Sequence, residues 1–269
     1  MINAQNKTFT SPLNKLLWVM QCLRDKDHGC PWDLEQDFKS ILPYTLEEAY
    51  EVADAIERGH MDDLREELGD LLLQVVYHTQ MAAEASEFTF DEVALGVADK
   101  MISRHPHVFG NKDAANSSAV DAIWDQQKER ENAQKSQKGA HTLDSVTLGL
   151  PALLRAQKLQ KKASKTGFEW PNPNAAFDKL TEEIIEFKEA LASDNKTHQE
   201  EELGDMLFCI VNFARMKGLN AEEALRKANN KFVKRFSGLE DDFREKQTPI
   251  NQASLNEMLD VWNEQKKKG

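Results

Sequence analysis

The stretch Glu67-Leu68-Gly69-Asp70-Leu71-Leu72-Leu73-Gln74-Val75-Val76-Tyr77 opens on two carboxylates and runs directly into apolar residues. At about 100° per residue, Glu67, Asp70 and Gln74 share one narrow stripe of a helix that is apolar around most of its remaining circumference. Such a helix is expected to be buried, which places its acids in or beside a core. Just upstream, Glu47-Glu48-Ala49-Tyr50-Glu51 sets Glu48 and Glu51 three apart, again on one helix face. Both elements return 135 residues later as Glu182-Glu183-Ile184-Ile185-Glu186 and Glu202-Leu203-Gly204-Asp205, with Cys209 completing the second stripe. The step of 16 residues from Glu51 to Glu67 recurs from Glu186 to Glu202. In a chain that is 30% charged, one isolated ExxE is ordinarily a solvated helix face. Acids that adjoin apolar runs do not fit that description.

Working outward, weaker echoes frame the acids. Leu16-Leu17 pairs with Leu153-Leu154, Gly29 to Trp32 with Gly167 to Trp170, Lys100 and Arg104 with Lys231 and Arg235, and Trp124 with Trp262. Each copy reads as an opening helix, a Gly/Trp turn, two acidic helices, a basic helix and a closing Trp helix. A period this long indicates two related domains and not a solenoid. The polar run AQKSQKGAHT, Ala133 to Thr142, lacks a hydrophobic stripe, so the expected division is 1–132, a connection at 133–143, and 144–269. Only 12 Gly and 8 Pro occur in 269 residues, and Pro12, Pro31, Pro43, Pro106, Pro151, Pro171 and Pro249 fall where helices are expected to start or stop. The expected fold class is all-α, with two tandem domains.

Lys plus Arg is 34 and Asp plus Glu 46, a net charge of −12, which disfavours nucleic acid as a partner held through its phosphates. It does not disfavour a ligand that arrives with a cation. Carboxylates converging beside a core repel one another and resist desolvation, and a bound divalent ion relieves both costs. With oxygen ligands only and no nearby His or Cys, the expected ion is Mg²⁺, with Mn²⁺ as the alternative. Mg²⁺ keeps positions open for water and phosphate oxygens, which points to a phosphate-bearing substrate. Gly69 and Gly204, costly in a helix interior, suggest a close approach by backbone or ligand.

Beyond the residues themselves, the chain closely resembles the MazG nucleoside triphosphate pyrophosphohydrolases of the all-α NTP pyrophosphatase superfamily. The resemblance spans LRDKDHGCPWD, TLEEAYEV with DDLREELGDLLLQVV, RHPHVFG, EEELGDMLFCIVNFAR and KANNKFVKRF, and is similar in layout to tandem-domain bacterial members. It implies four-helix units that pair as homodimers and cleave NTPs or dNTPs between the α- and β-phosphates, with Mg²⁺, in control of nucleotide pools. It further implies Glu183, Glu186, Glu202 and Asp205 as metal ligands, Glu182 or one of these as the base, and Lys179, Lys231 and Arg235 as counter-charges to the triphosphate. Trp262 falls where the family places a residue near the nucleotide; a Trp closing a core is the equal alternative. The first copy keeps Glu48, Glu51, Glu67 and Asp70 as a possible second metal site but has Tyr44 in place of Lys179, so catalysis is expected in the second.

Other readings are weaker. His105-Pro106-His107 lacks a third zinc ligand at helical spacing. The basic run KLQKKASK, Lys158 to Lys165, lacks interleaved aromatics. A di-iron bundle needs Glu-x-x-His, whereas in these acidic pairs the residue three further on is Glu or Asp. The contrasting class is a non-catalytic helical module binding nucleotide or protein. Cys22, Cys30 and Cys209 form neither a CxxC nor an even set, no run approaches 18 apolar residues, and no basic-then-apolar leader opens the chain. A cytoplasmic protein without a membrane partner is expected.

Overall fold

The computed structural model describes residues 7–111, 116, 120, 123–124, 127 and 141–268. Among these every regular element is helical. The chain divides into two compact units, Met1–Ser136 and Gln137–Gly269. Most of the expected connection, 133–140, and much of the first closing helix lie outside the described residues.

In the first unit, α1 (Pro12–Leu23) starts with Pro at its first position and Ser11 accepting from the Asn14 amide. A short α2 (Pro31–Glu35) precedes α3 (Phe38–Arg58), whose start is fixed by a capping box between Asp37 and Ser40. It ends at Gly59, φ +70°, the left-handed conformation that closes a helix without a side-chain clash. Then come α4 (Met61–Glu84), α5 (Phe90–Arg104), opened by a Thr89/Glu92 capping box, and the short α6 (Pro106–Phe109). Met20, Ile41, Val76, Tyr77 and Met81 form the core, so α1, α3 and α4 converge there. Pro43 departs from expectation: it lies inside α3, where it removes one backbone hydrogen bond without ending the helix. The capping box just upstream and the burial of Ile41 hold that turn.

The second unit repeats the plan with α7 (Ala152–Ser164), α8 (Pro173–Leu191), α9 (Lys196–Met216), α10 (Ala221–Glu245) and α11 (Leu255–Lys268). Asn172, Asn195 and Asn220 cap α8, α9 and α10, each accepting from the amide three residues on. Helices α8 and α9 form the most extensive pairing, α7 packs on α9, and α10 reaches α7 and α11. A satellite core of Leu239, Phe243 and Val261 joins α10 to α11.

The expectation that the second acidic helix is enclosed on all sides is not met within one chain. On α4, Gln74, Val76 and Tyr77 are buried, whereas Leu68, Leu72 and Val75 are exposed. Helices α1, α3 and α5 pack on α4 and still leave this stripe open.

Candidate functional site

Lys179, Glu182, Glu183 and Glu186 recur at helical spacing on one face of α8, and α9 brings Glu202, Asp205 and Cys209 against that face. Glu183 is 6% exposed and the Glu202 side chain 16%. One carboxylate oxygen from each of Glu183, Glu202 and Asp205 lies within 4.8 Å of the other two. Ligands at about 2.1 Å from an octahedral Mg²⁺ are separated by about 3–4 Å, so this trio needs only small side-chain adjustments to share one ion. Its donors are all oxygen, as that ion prefers.

The local charges confirm that the acids crowd one another. Lys179 Nζ lies 2.6 Å from Glu182 Oε1 and 2.8 Å from Glu183 Oε1. Those two hydrogen bonds, Glu182 first, hold the ammonium well above its ordinary range. Burial, opposed by Lys179 and aided by Glu183, Glu182 and Glu202, raises the Glu186 carboxyl. Burial likewise pushes the Cys209 thiol up, with the charges of Glu183 and Asp205 adding to it. His198 Nδ1 lies 3.6 Å from Glu202 Oε1, one turn back along α9.

The first unit gathers its acids in the same way. Oxygens of Glu48, Glu51 and Glu67 lie within 4.8 Å of one another. Burial raises the Glu48 carboxyl, with Asp70, Glu51 and Glu67 adding to it, and burial with Glu51 and Asp70 does the same to Glu67. Tyr44 stands where the other copy has Lys179, its ring edge-on to Trp32 at 6.3 Å. Among the described residues no basic side chain pairs with these four acids.

Among the described residues no ion pair joins Lys231 or Arg235 to the acids. Lys231 is exposed on α10, and Arg235, half-buried, has an Nε without an acceptor among the described residues. Trp262 packs on the α10–α11 core, its ring 5.3 Å from Phe232, so the core-closing alternative describes its surroundings here. At Gly69 and Gly204 no other part of the same chain comes close: a Cβ at either would meet nothing within 4 Å. His105 is accounted for without a metal, since Nδ1 donates to the Met101 carbonyl at 2.6 Å and Nε2 accepts from Trp124 Nε1 at 3.2 Å.

A cavity of about 590 Å³ opens beside the trio, between α7, the turn at Gly167 and α9. Lys179 and Cys209 belong to both the cavity wall and the acid cluster. Its other polar residues, Gln160, Glu169, Asn212 and Arg215, do not stand out in the sequence, and Trp170 does so only as a turn marker. Aligning the copies at the 135-residue offset would have exposed Asn212, which replaces the buried Tyr77.

Residues 36–109 and 172–237 match the MazG nucleotide pyrophosphohydrolase domain, one segment in each unit. The chain belongs to the MazG family. It is 48% identical over 257 residues to the nucleoside triphosphate pyrophosphohydrolase of Escherichia coli (strain K12), covering 95% of this chain and 97% of that one. It is 37% identical over 252 residues to the nucleoside triphosphate pyrophosphohydrolase/pyrophosphatase MazG of Thermotoga maritima, covering 94% of each. The nucleoside triphosphate pyrophosphohydrolase of Mycobacterium tuberculosis is 42% identical over 139 residues, 51% of this chain and 41% of its own length. The match of both MazG segments to separate units agrees with a tandem, all-α organisation. No described helix is long and apolar enough to cross a membrane.

Proposed function

We propose that the chain hydrolyses nucleoside triphosphates, ribo or deoxy, to the monophosphate and pyrophosphate, and that the second unit carries the reaction. The observation that carries this reading is the oxygen trio of Glu183, Glu202 and Asp205 at the edge of a ligand-sized cavity. Glu186, on the same face of α8, completes the ligand set. Bound there, Mg²⁺ would offset the charge of the triphosphate and polarise its phosphoryl oxygens. Water attacks the α-phosphorus, the bond from that phosphorus to the bridging oxygen breaks, and pyrophosphate leaves. Glu182 or a neighbouring carboxylate accepts the proton of the attacking water. Lys179, which neutralises Glu182 and Glu183 in this structure, is placed to turn its ammonium to a phosphate once those acids have another counter-charge. Lys231, Arg235 and Trp262 enter the reading through the family resemblance alone. The four acids of the first unit form a second candidate metal site without the lysine.

The named relatives support a nucleotide-clearing role, and three free cysteines support a reducing, cytoplasmic setting. Exposed apolar stripes repeated on α4 and α9 support a homodimer formed through helices. The test is to incubate the chain with each NTP and Mg²⁺ and to measure pyrophosphate and orthophosphate separately. Pyrophosphate is expected, lost with chelator and in Glu202→Gln. Orthophosphate alone, or pyrophosphate that survives Glu202→Gln, overturns the reading.

A further inference from the structure

Resting on the metal site just proposed, we infer that Lys179 is a built-in cation gate. Its ammonium stands in for the metal among the acids of the second unit, so a divalent ion alone is held weakly and is taken up together with a phosphate that draws the lysine away. Lys179 Nζ lies 2.8 Å from Glu183 Oε1, and Glu183 is one of the three carboxylates whose oxygens converge within 4.8 Å. The second bond of the ammonium, 2.6 Å to Glu182 Oε1, runs to a side chain outside that trio and 57% exposed. Lys179 therefore bridges a buried member of the metal site and a solvated carboxylate.

The balance of charge makes this contact a competitor of the ion. A carboxylate as buried as Glu183 needs a counter-charge, and Lys179 is the one the chain supplies. A Mg²⁺ ion about 2.1 Å from a Glu183 oxygen would lie only about 5 Å from an ammonium still bonded to the same carboxylate. Two cations at that separation, with little water between them, repel strongly. Either the ion is held weakly or the lysine leaves. Leaving breaks two charge-assisted hydrogen bonds, and a phosphate oxygen replaces them better than water does. The anion is at hand in the reaction itself, since Lys179 also lines the cavity beside the trio. Metal and phosphate thus raise each other's affinity, a reciprocity that any coupling between two ligands obeys.

The first unit supplies an internal contrast. Oxygens of Glu48, Glu51 and Glu67 converge as closely as those of the second unit, yet Tyr44, with no cation to offer, stands at the position of Lys179. Gathering such acids does not require the lysine. A scaffold role therefore leaves Lys179 unexplained, and a role in deciding when the metal enters does not.

The experiment titrates the full chain by calorimetry with Mg²⁺ alone and with the Mg²⁺ complex of α,β-methylene-ATP. Glu202→Gln, which breaks the trio, gives the binding that belongs elsewhere and is subtracted. Lys179→Met keeps the length of the side chain without its charge. It is expected to bind Mg²⁺ alone about tenfold or more tightly than the unaltered chain, and the complex about tenfold more weakly. Lys188→Met, the same charge change at an exposed position of α8, should shift either affinity by less than about threefold. Should Lys179→Met lose its helical circular dichroism without metal, Lys179→Gln, which can still donate to Glu183, carries the test. Mg²⁺ alone bound no more tightly in the Lys179 variants, or a gain that Lys188→Met matches, overturns the inference. Absence of any Glu202-dependent Mg²⁺ binding, with or without the analogue, overturns the metal site and the gate with it. A chain that hydrolyses no NTP but shows the gain would overturn the catalytic reading and leave the gate standing.

Discussion

Lys179 and Tyr44 occupy equivalent positions, and the difference changes the electrostatics of otherwise matching acids. In the second unit the ammonium neutralises Glu182 and Glu183, so desolvated Glu183 has a partner at 2.8 Å. In the first, burial and mutual repulsion raise Glu48 and Glu67 with no basic side chain paired to them among the described residues. A cation could bind either set, and at this position the second also offers a charge of the sign a phosphate requires. Asp205→Asn is accordingly expected to lower turnover by about 100-fold or more, whereas Asp70→Asn should retain more than about half of it. Steady-state rates with pyrophosphate detection decide between them. Reversed effects would move catalysis to the first unit.

At the level of the helices, Arg24 ties together the start of the first repeat. Its side chain is 9% exposed; Nε and Nη2 bond Glu84 on α4, Nη2 at 2.8 Å, and Nη1 donates to the Asp33 and Gln36 carbonyls around α2. Burial, the largest single influence, pushes the Glu84 carboxyl up, but the hydrogen bonds from Arg24 and Gln80 together with the charges of Arg24 and Lys26 outweigh it and hold the group below its usual 4.5. A depressed carboxyl contributes stability that is complete above the unfolded-state pKa and is lost as the pH falls through the folded one. Arg24→Ala is expected to destabilise the first unit by about 2–3 kcal/mol at neutral pH, read from urea unfolding. The gap should narrow as the pH falls below 4.5; a gap independent of pH would mean that the ion pair contributes nothing. Several helix starts were legible because a Pro stands at the first position, as at Pro12, Pro31 and Pro106. Pro43 misleads because one missing backbone donor is a small loss beside the packing of a helix of 21 residues. The acid trio was legible because helical spacing alone fixes which carboxylates share a face. The cavity was not, since empty volume depends on what all neighbours leave unfilled, and a sequence records only what each residue occupies.

For the molecule as a whole, the unresolved tension lies in α4 and α9, whose sequences ask for burial on more sides than one chain provides. Leu68, Leu72 and Val75 on α4 fall at i, i+4 and i+7, and Leu203, Leu207 and Ile210 repeat them on α9; all six are exposed. On the paired helices Leu42 and Tyr50 match Phe177 and Ile185, also exposed. Scattered apolar surface needs no explanation, but two equivalent stripes on two hairpins do. A second copy offering the same stripe would complete four helices around a shared apolar seam, which reconciles the sequence pattern with the open faces. Sedimentation equilibrium is therefore expected to give twice the chain mass of 30.6 kDa. Leu207→Glu combined with Leu72→Glu should reduce it to one chain mass while circular dichroism stays helical, because a charge in that seam has no partner and costs little when exposed. A monomer in the unaltered protein, or a dimer indifferent to both substitutions, would assign the stripes to some other contact.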